Sequence, residues 1–179
     1  KSLYLMGRLE KVPNWLPSLH GLVRVILGWS KLRDEPLQSL EDLPNLVELY
    51  LNKAYEGEGL CFKAGRFKRL KRLVLSRLEG LRWVRVEEGS MPHLEKLVIR
   101  KCELVEEVPS GIEHLSNLQY LDFVGMSDKM VESIDGENRV AHIPAVWIGS
   151  LSADGTLEWR ERSSHFLEMK RDVEISSFP

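Results

Sequence analysis

Apolar positions recur along this chain with a fixed step. Leu22, Leu46, Leu70, Leu94 and Leu118 stand 24 residues apart without a slip. Three residues after each come Val25, Leu49, Leu73, Leu97 and Leu121, and five residues after come Leu27, Leu51, Leu75, Ile99 and Phe123. A fourth ladder, Leu19, Leu43, Phe67, Met91 and Leu115, precedes each start by three. All twenty positions are apolar in a chain that is 43% hydrophobic, so the repeat organises the sequence.

The spacing at +3 and +5 is that of a short strand whose alternate side chains enter a core. One such unit cannot bury its leucines alone, so the units must stack. The step therefore predicts an α/β solenoid with a curved parallel sheet on the concave face and irregular loops and short helices on the convex side. Its strands fall near 3–5, 25–27, 49–51, 73–75, 97–99 and 121–123. Leu3-Tyr4-Leu5 reads as the strand of a repeat whose opening residue would precede Lys1, so the chain is expected to be a fragment.

On the returning arc Leu60, Val84 and Val108 keep the 24-residue step and are expected to point inward. Ala54–Gly59 reads as a loop-like insertion, and Ser110–Leu115 as a helical turn capped by Ser110. The period stops after Phe123. Ser127–Ile134 then reads as a helix with Ser127 as its N-cap and Met130, Val131 and Ile134 on its apolar face. Val146–Leu151 and Thr156–Arg160 read as strands joined through Asp154-Gly155. The expected division is about six repeats over 1–126, a C-terminal cap over 127–160 and a tail over 161–179.

Charge and chemistry change this picture little. The 179 residues sum to a net charge of −2, which gives no global attraction to nucleic acid or to an anionic membrane. No run approaches the roughly 18 apolar residues of a membrane span, since Leu22–Trp29 is short and contains Arg24. Cys61 and Cys102 form no paired framework, which favours a reducing compartment and a cytoplasmic location. No GxxxxGK[ST], GxGxxG, HExxH or GxSxG occurs, and the five histidines never fall at ligand spacing. No catalytic residue, metal or cofactor is therefore expected. Cys102 reads as an inward structural residue, and Glu87-Glu88 and Glu106-Glu107 as solvated loop carboxylates.

The stretch Leu94–Leu121 reads LEKLVIRKCELVEEVPSGIEHLSNLQYL. It resembles the leucine-rich repeat of plant nucleotide-binding leucine-rich-repeat (NLR) disease resistance proteins. Leu9-Glu10-Lys11-Val12-Pro13, Arg82-Trp83-Val84 and Gly89-Ser90-Met91-Pro92-His93-Leu94 look like phrases from the last repeats of the coiled-coil class. Val140-Ala141-His142-Ile143-Pro144 looks like the segment that follows them. The resemblance covers roughly residues 1–150.

The resemblance implies repeats that follow a nucleotide-binding switch, restrain it at rest and help to sense pathogen effectors. The implied partners are the receptor's own nucleotide-binding domain and an effector or host guardee. This sequence departs from the family pattern at the Cys/Asn slot, which is Cys102 once but Ser30, Ala54, Leu78 and Met126 elsewhere. The Leu-Pro element is also missing from the repeats that begin at Leu46 and Leu70, which suggests an irregular outer arc. A generic repeat adaptor, such as the substrate-recruiting part of a ubiquitin-ligase receptor, is the alternative.

Residues between the ladder positions must point away from the core. On the strands they include Arg24, Glu48, Lys53, Lys71, Arg72, Arg77, Glu95, Lys96, Arg100, Lys101 and Asp122, eight basic against three acidic. Lys53, Arg77 and Lys101 share one repeat position, so they should form a lateral row of like charges about 4.8 Å apart. Trp29, Tyr50 and Tyr120 add aromatic area. The expected protein-binding face is thus Arg24, Trp29, Tyr50, Lys53, Arg72, Arg77, Lys96, Arg100, Lys101 and Tyr120. The competing reading is a solubilising surface with its long side chains splayed into water.

Overall fold

The 24-residue step of the sequence becomes the register of a sheet. Arg24 pairs with Glu48, Glu48 with Arg72, Arg72 with Lys96, and Lys96 with Tyr120. The structure is a computed structural model that describes residues 1–33, 35–136, 138–151 and 156–161. Its strands are β1 (Ser2–Met6), β2 (Arg24–Gly28), β3 (Glu48–Asn52), β4 (Gly59–Phe62) and β5 (Arg72–Ser76). There follow β6 (Trp83–Val86), β7 (Lys96–Arg100), β8 (Tyr120–Val124), β9 (Ala145–Leu151) and β10 (Leu157–Glu161). Eight of them form one sheet in the order β1-β2-β3-β5-β7-β8-β9-β10, parallel until β10 runs antiparallel to β9. This is the predicted solenoid sheet, with two strands added at its C-terminal end.

Of the twenty ladder residues nineteen are buried, and Leu19 is the exception at 39% exposed. It lies between β1 and β2, where Leu3, Leu5, Leu9 and Val12 are also only partly buried. Further along, each coil is covered on both sides, as stacking requires. Asn45 and Asn117, just before two repeat starts, lace neighbouring coils together. Their amides donate to the carbonyls of His20 at 2.9 Å and Pro92 at 2.6 Å.

The convex side is more regular than the sequence suggested. Leu60, Val84 and Val108 are buried as expected. The segment read as a loop from Ala54 instead enters the core: Ala54 and Tyr55 are buried and Tyr55 bridges to Leu32. From Gly59 the chain forms β4, which pairs in parallel with β6 as a small second sheet. Leu60 and Phe62 on one strand, Val84 and Val86 on the other, alternate inward and explain it. The Trp83 ring lies over Gly59, where a Cβ would force that half-exposed ring to turn away.

Ser110 does not cap a helical turn. The turn is a 3-10 segment at Ile112–His114, entered through Gly111 at φ 80° and without a side-chain cap. Ser110 is taken by the edge of β6 instead, accepting from Val86 N–H at 2.8 Å and donating to the Val84 carbonyl at 3.0 Å. Ser127 does cap α1 (Asp128–Gly136), its hydroxyl oxygen accepting from Met130 N–H at 3.3 Å. Met130 and Ile134 are buried, while Val131 packs partly buried against the core. The strands read near Val146 and Thr156 are β9 and β10. The Asp154-Gly155 junction and the tail beyond Glu161 lie outside the described residues. β9 extends the main sheet, with Val146 and Ile148 buried in the shared core.

Candidate protein-binding face

Side chains of the main sheet that face away from the core fall in four lateral rows. Arg24, Glu48, Arg72, Lys96 and Tyr120 make the first. Tyr4, Ile26, Tyr50, Val74, Val98, Asp122 and Trp147 make the second, and the third includes Met6, Gly28, Asn52, Ser76, Arg100 and Val124. The fourth stands just past the strand ends: Gly7, Trp29, Lys53, Arg77, Lys101 and Gly125. Each of its amides donates across to the next coil, Arg77 to the Arg100 carbonyl and Lys101 to that of Val124, both at 2.8 Å. The sheet thus carries all ten residues singled out from the sequence on one face. Trp29 joins Lys53, Arg77 and Lys101 in a single row.

The face is not uniformly basic, contrary to the charge count along the strands. Arg24 makes a two-pronged contact with Glu48, Nε to Oε2 at 2.8 Å and Nη2 to Oε1 at 3.0 Å. The Tyr50 hydroxyl donates to the same carboxylate at 2.8 Å. These hydrogen bonds, that of Arg24 foremost, hold Glu48 below the ordinary carboxylate range against the opposing effect of burial. Burial first, and the bond to Glu48 second, push the Tyr50 phenol up. Lys96 Nζ lies 2.7 Å from Asp122 Oδ2, and Lys71 Nζ 2.7 Å from Glu95. Lys53 Nζ lies 3.4 Å from Glu79 and 4.6 Å from the centre of the Trp29 ring.

Four cations remain. Among the described residues, Arg72, Arg77, Arg100 and Lys101 have no carboxylate oxygen within ion-pair distance, and all four are exposed. They belong to two adjacent coils, at β5 and β7. Desolvation against the sheet lowers the proton affinity of the Arg100 guanidinium; Asp122 raises it, and the Arg72 charge lowers it again. The positive cluster therefore sits in the middle of the solenoid, flanked by neutralised pairs on both sides.

Backbone conformation sets the fourth row apart. Trp29, Lys53, Arg77 and Lys101 have φ of 56°, 49°, 51° and 48°, between glycines at both ends, Gly7 and Gly125. A left-handed conformation costs a residue with a Cβ roughly 1 kcal/mol, whereas glycine adopts it freely. Phe67 and Met91 share that conformation, but their side chains fill the core. Glu10 and Lys31, also at positive φ, are exposed residues of the outer turns.

The residue after the row explains the variable Cys/Asn slot. Ser30 Oγ donates to the Gly28 carbonyl at 3.1 Å, and Cys102 Sγ to that of Arg100 at 3.4 Å, each across the left-handed residue. Ala54 and Leu78 surrender that bond and fill core volume. Burial pushes the Cys102 thiol up to about 11, so it is a structural donor rather than a nucleophile at neutral pH.

Sequence reasoning missed several residues of this surface. Glu79 and Glu103, with the exposed Leu104, line a groove of about 710 Å³ beside Trp29, Lys53, Arg77 and Lys101. All three follow the strands in loops, where strand alternation says nothing about direction. Tyr4 and Met6 were legible as outward positions of β1, and both are more than half exposed. Among the described residues no group of three or more His, Cys, Asp or Glu could hold a metal ion. No described helix is long and apolar enough to cross a membrane.

A stack of strand-led coils with an open polar face defines a leucine-rich-repeat module. Residues 1–136 match the family model described as a leucine-rich repeat region, and the chain belongs to that family. It is 41% identical over 151 residues to the disease resistance protein RPM1 of Arabidopsis thaliana, covering 82% of this chain and 16% of that protein. Over 150 residues it is 34% identical to the disease resistance RPP8-like protein 3 and 32% identical to the disease susceptibility protein LOV1. Both are from the same plant, with the same coverage of each chain. The chain spans about 16% of the length of these curated relatives. The resemblance to plant disease resistance proteins, read from Leu94–Leu121, is borne out.

Proposed function

We propose that this chain is the protein-binding repeat domain of a cytoplasmic plant immune receptor of the coiled-coil NLR class. Its role there is binding, not catalysis. It contributes to recognition of a pathogen effector, directly or through a host guardee, and to holding the receptor's nucleotide-binding switch at rest. The observation that carries this reading is the group of exposed cations, Arg72, Arg77, Arg100 and Lys101, left without carboxylates on a face where the other cations are paired. Such a surface is suited to a protein partner that supplies the missing charge. The relatives named for disease resistance set the biological context.

The test uses the full-length receptor that contains these repeats, expressed in leaf tissue with and without its matching effector. Removing the repeats is expected to give either cell death without effector or no response at all. Normal effector-dependent cell death from the truncated receptor contradicts the role.

A further inference from the structure

The row past the strand ends combines two costs, a left-handed backbone and adjacent like charges, that no other exposed part of the described chain is shown to combine. Arg77 and Lys101 hold a left-handed backbone that glycine takes freely, and the chain itself uses glycine at both ends of the row, at Gly7 and Gly125. They also place like charges side by side at the spacing of adjacent strands, which opposes folding. Phe67 and Met91 are held the same way for the sake of the core, but Arg77 and Lys101 are exposed, and among the described residues neither has a carboxylate oxygen within ion-pair distance. Elsewhere on this face cations are neutralised by the chain's own acids, as Arg24 is by Glu48 and Lys96 by Asp122.

From these relations, and resting on the binding role proposed above, we infer that Arg77, Lys101, Arg72 and Arg100 bind a protein segment with clustered carboxylates whose apolar residue packs on Trp29. The groove beside the row has the form for it. Trp29, 48% exposed, stands at one end and Leu104, 40% exposed, lines the same groove. Charge complementarity selects the occupant: two or more carboxylates would pair with cations that have no ion-pair partner among the described residues. Glu79 and Glu103 line the same groove, so the carboxylates of the segment must meet Arg77 and Lys101 at discrete points between them, and the oligothymidylate arm of the test decides against a nucleic acid.

The test titrates the purified chain with poly-L-glutamate at low and at physiological salt, and in parallel with a single-stranded oligothymidylate. Poly-L-glutamate is expected to bind and to weaken several-fold with salt. Arg77→Glu with Lys101→Glu is expected to lose that binding by more than ~30-fold with an unchanged circular-dichroism spectrum. Reversing the exposed Lys68, away from the row, is expected to leave it intact. Arg77→Gly with Lys101→Gly provides a second variant that removes the charges while relieving backbone strain: it is expected to melt higher and still lose binding. No binding by the wild-type chain, full binding by the charge-reversed or glycine variant, or tighter binding of oligothymidylate overturns the inference. If any of these occurs while the full-length receptor still needs the repeats for its effector response, the acidic partner falls and the proposed role stands.

Discussion

Lys53 carries its ammonium 4.6 Å from the centre of the Trp29 ring and 3.4 Å from a Glu79 carboxylate oxygen. Arg77 occupies the equivalent place one coil further on and has neither kind of partner among the described residues. The same repeat position therefore yields a satisfied cation in one coil and an open one in the next. What differs is the residue before it in the row, Trp29 in one coil and Lys53 in the next, since Glu103 stands after Arg77 at the repeat position that Glu79 holds after Lys53.

The left-handed row makes a stability prediction with opposite signs. Arg77→Gly or Lys101→Gly should each stabilise the fold by about 0.5–1 kcal/mol, since both side chains are exposed and backbone strain is relieved. Phe67→Gly, at φ 52° but fully buried, should destabilise by at least about 3 kcal/mol because a core ring is removed. Urea midpoints at a constant slope measure both. Destabilisation by the surface glycines would mean that these side chains serve the fold.

How much of this was legible follows from where side-chain direction is periodic. The ladder leucines announced the sheet, its register and the outward residues of its strands, Arg24, Tyr50, Arg72, Lys96, Arg100 and Tyr120, because strand alternation fixes which way each points. Trp29, Lys53, Arg77 and Lys101 share the parity of the inward ladder and reach the open face through a left-handed backbone past the strand ends. Charge pairing was not legible. Whether Lys96 meets Asp122 depends on a register between coils that becomes visible only when row neighbours are laid side by side. β4 and β6 escaped notice because Gly57 and Gly59 gave a loop-like composition to a segment whose Leu60 and Phe62 face the core. Glu79, Glu103 and Leu104 sit in turns, where no period assigns a direction.

The Lys96–Asp122 pair should behave as a buried ion pair. The Asp122 side chain is only 6% exposed, its Oδ1 has no hydrogen-bond partner among the described residues, and Lys96 is its direct ion-pair partner, with Arg100 acting on it from further off. Lys96→Met alone should destabilise by about 3–5 kcal/mol, and adding Asp122→Leu should recover most of that loss. Equal stability of the single and double variants would show that the pair contributes as little as one on the surface.

Glu48 gives a pH dependence whose sign is fixed. Its folded-state affinity for a proton is depressed, mainly by Arg24, so its contribution is present above its unfolded value of 4.5. That contribution is lost as pH falls through the lower folded value. The stability difference between wild type and Glu48→Gln should accordingly shrink between about pH 6 and about pH 3. A difference that stays constant over that range would remove Glu48 from the charged network.

The most direct measurement places Arg77→Glu and Lys101→Glu together in the full-length receptor and scores effector-triggered cell death at matched protein levels. An open cationic face that meets a partner predicts that the effector response is lost, or that cell death starts without effector. A wild-type response from the equally abundant variant, silent without effector and normal with it, would contradict that account.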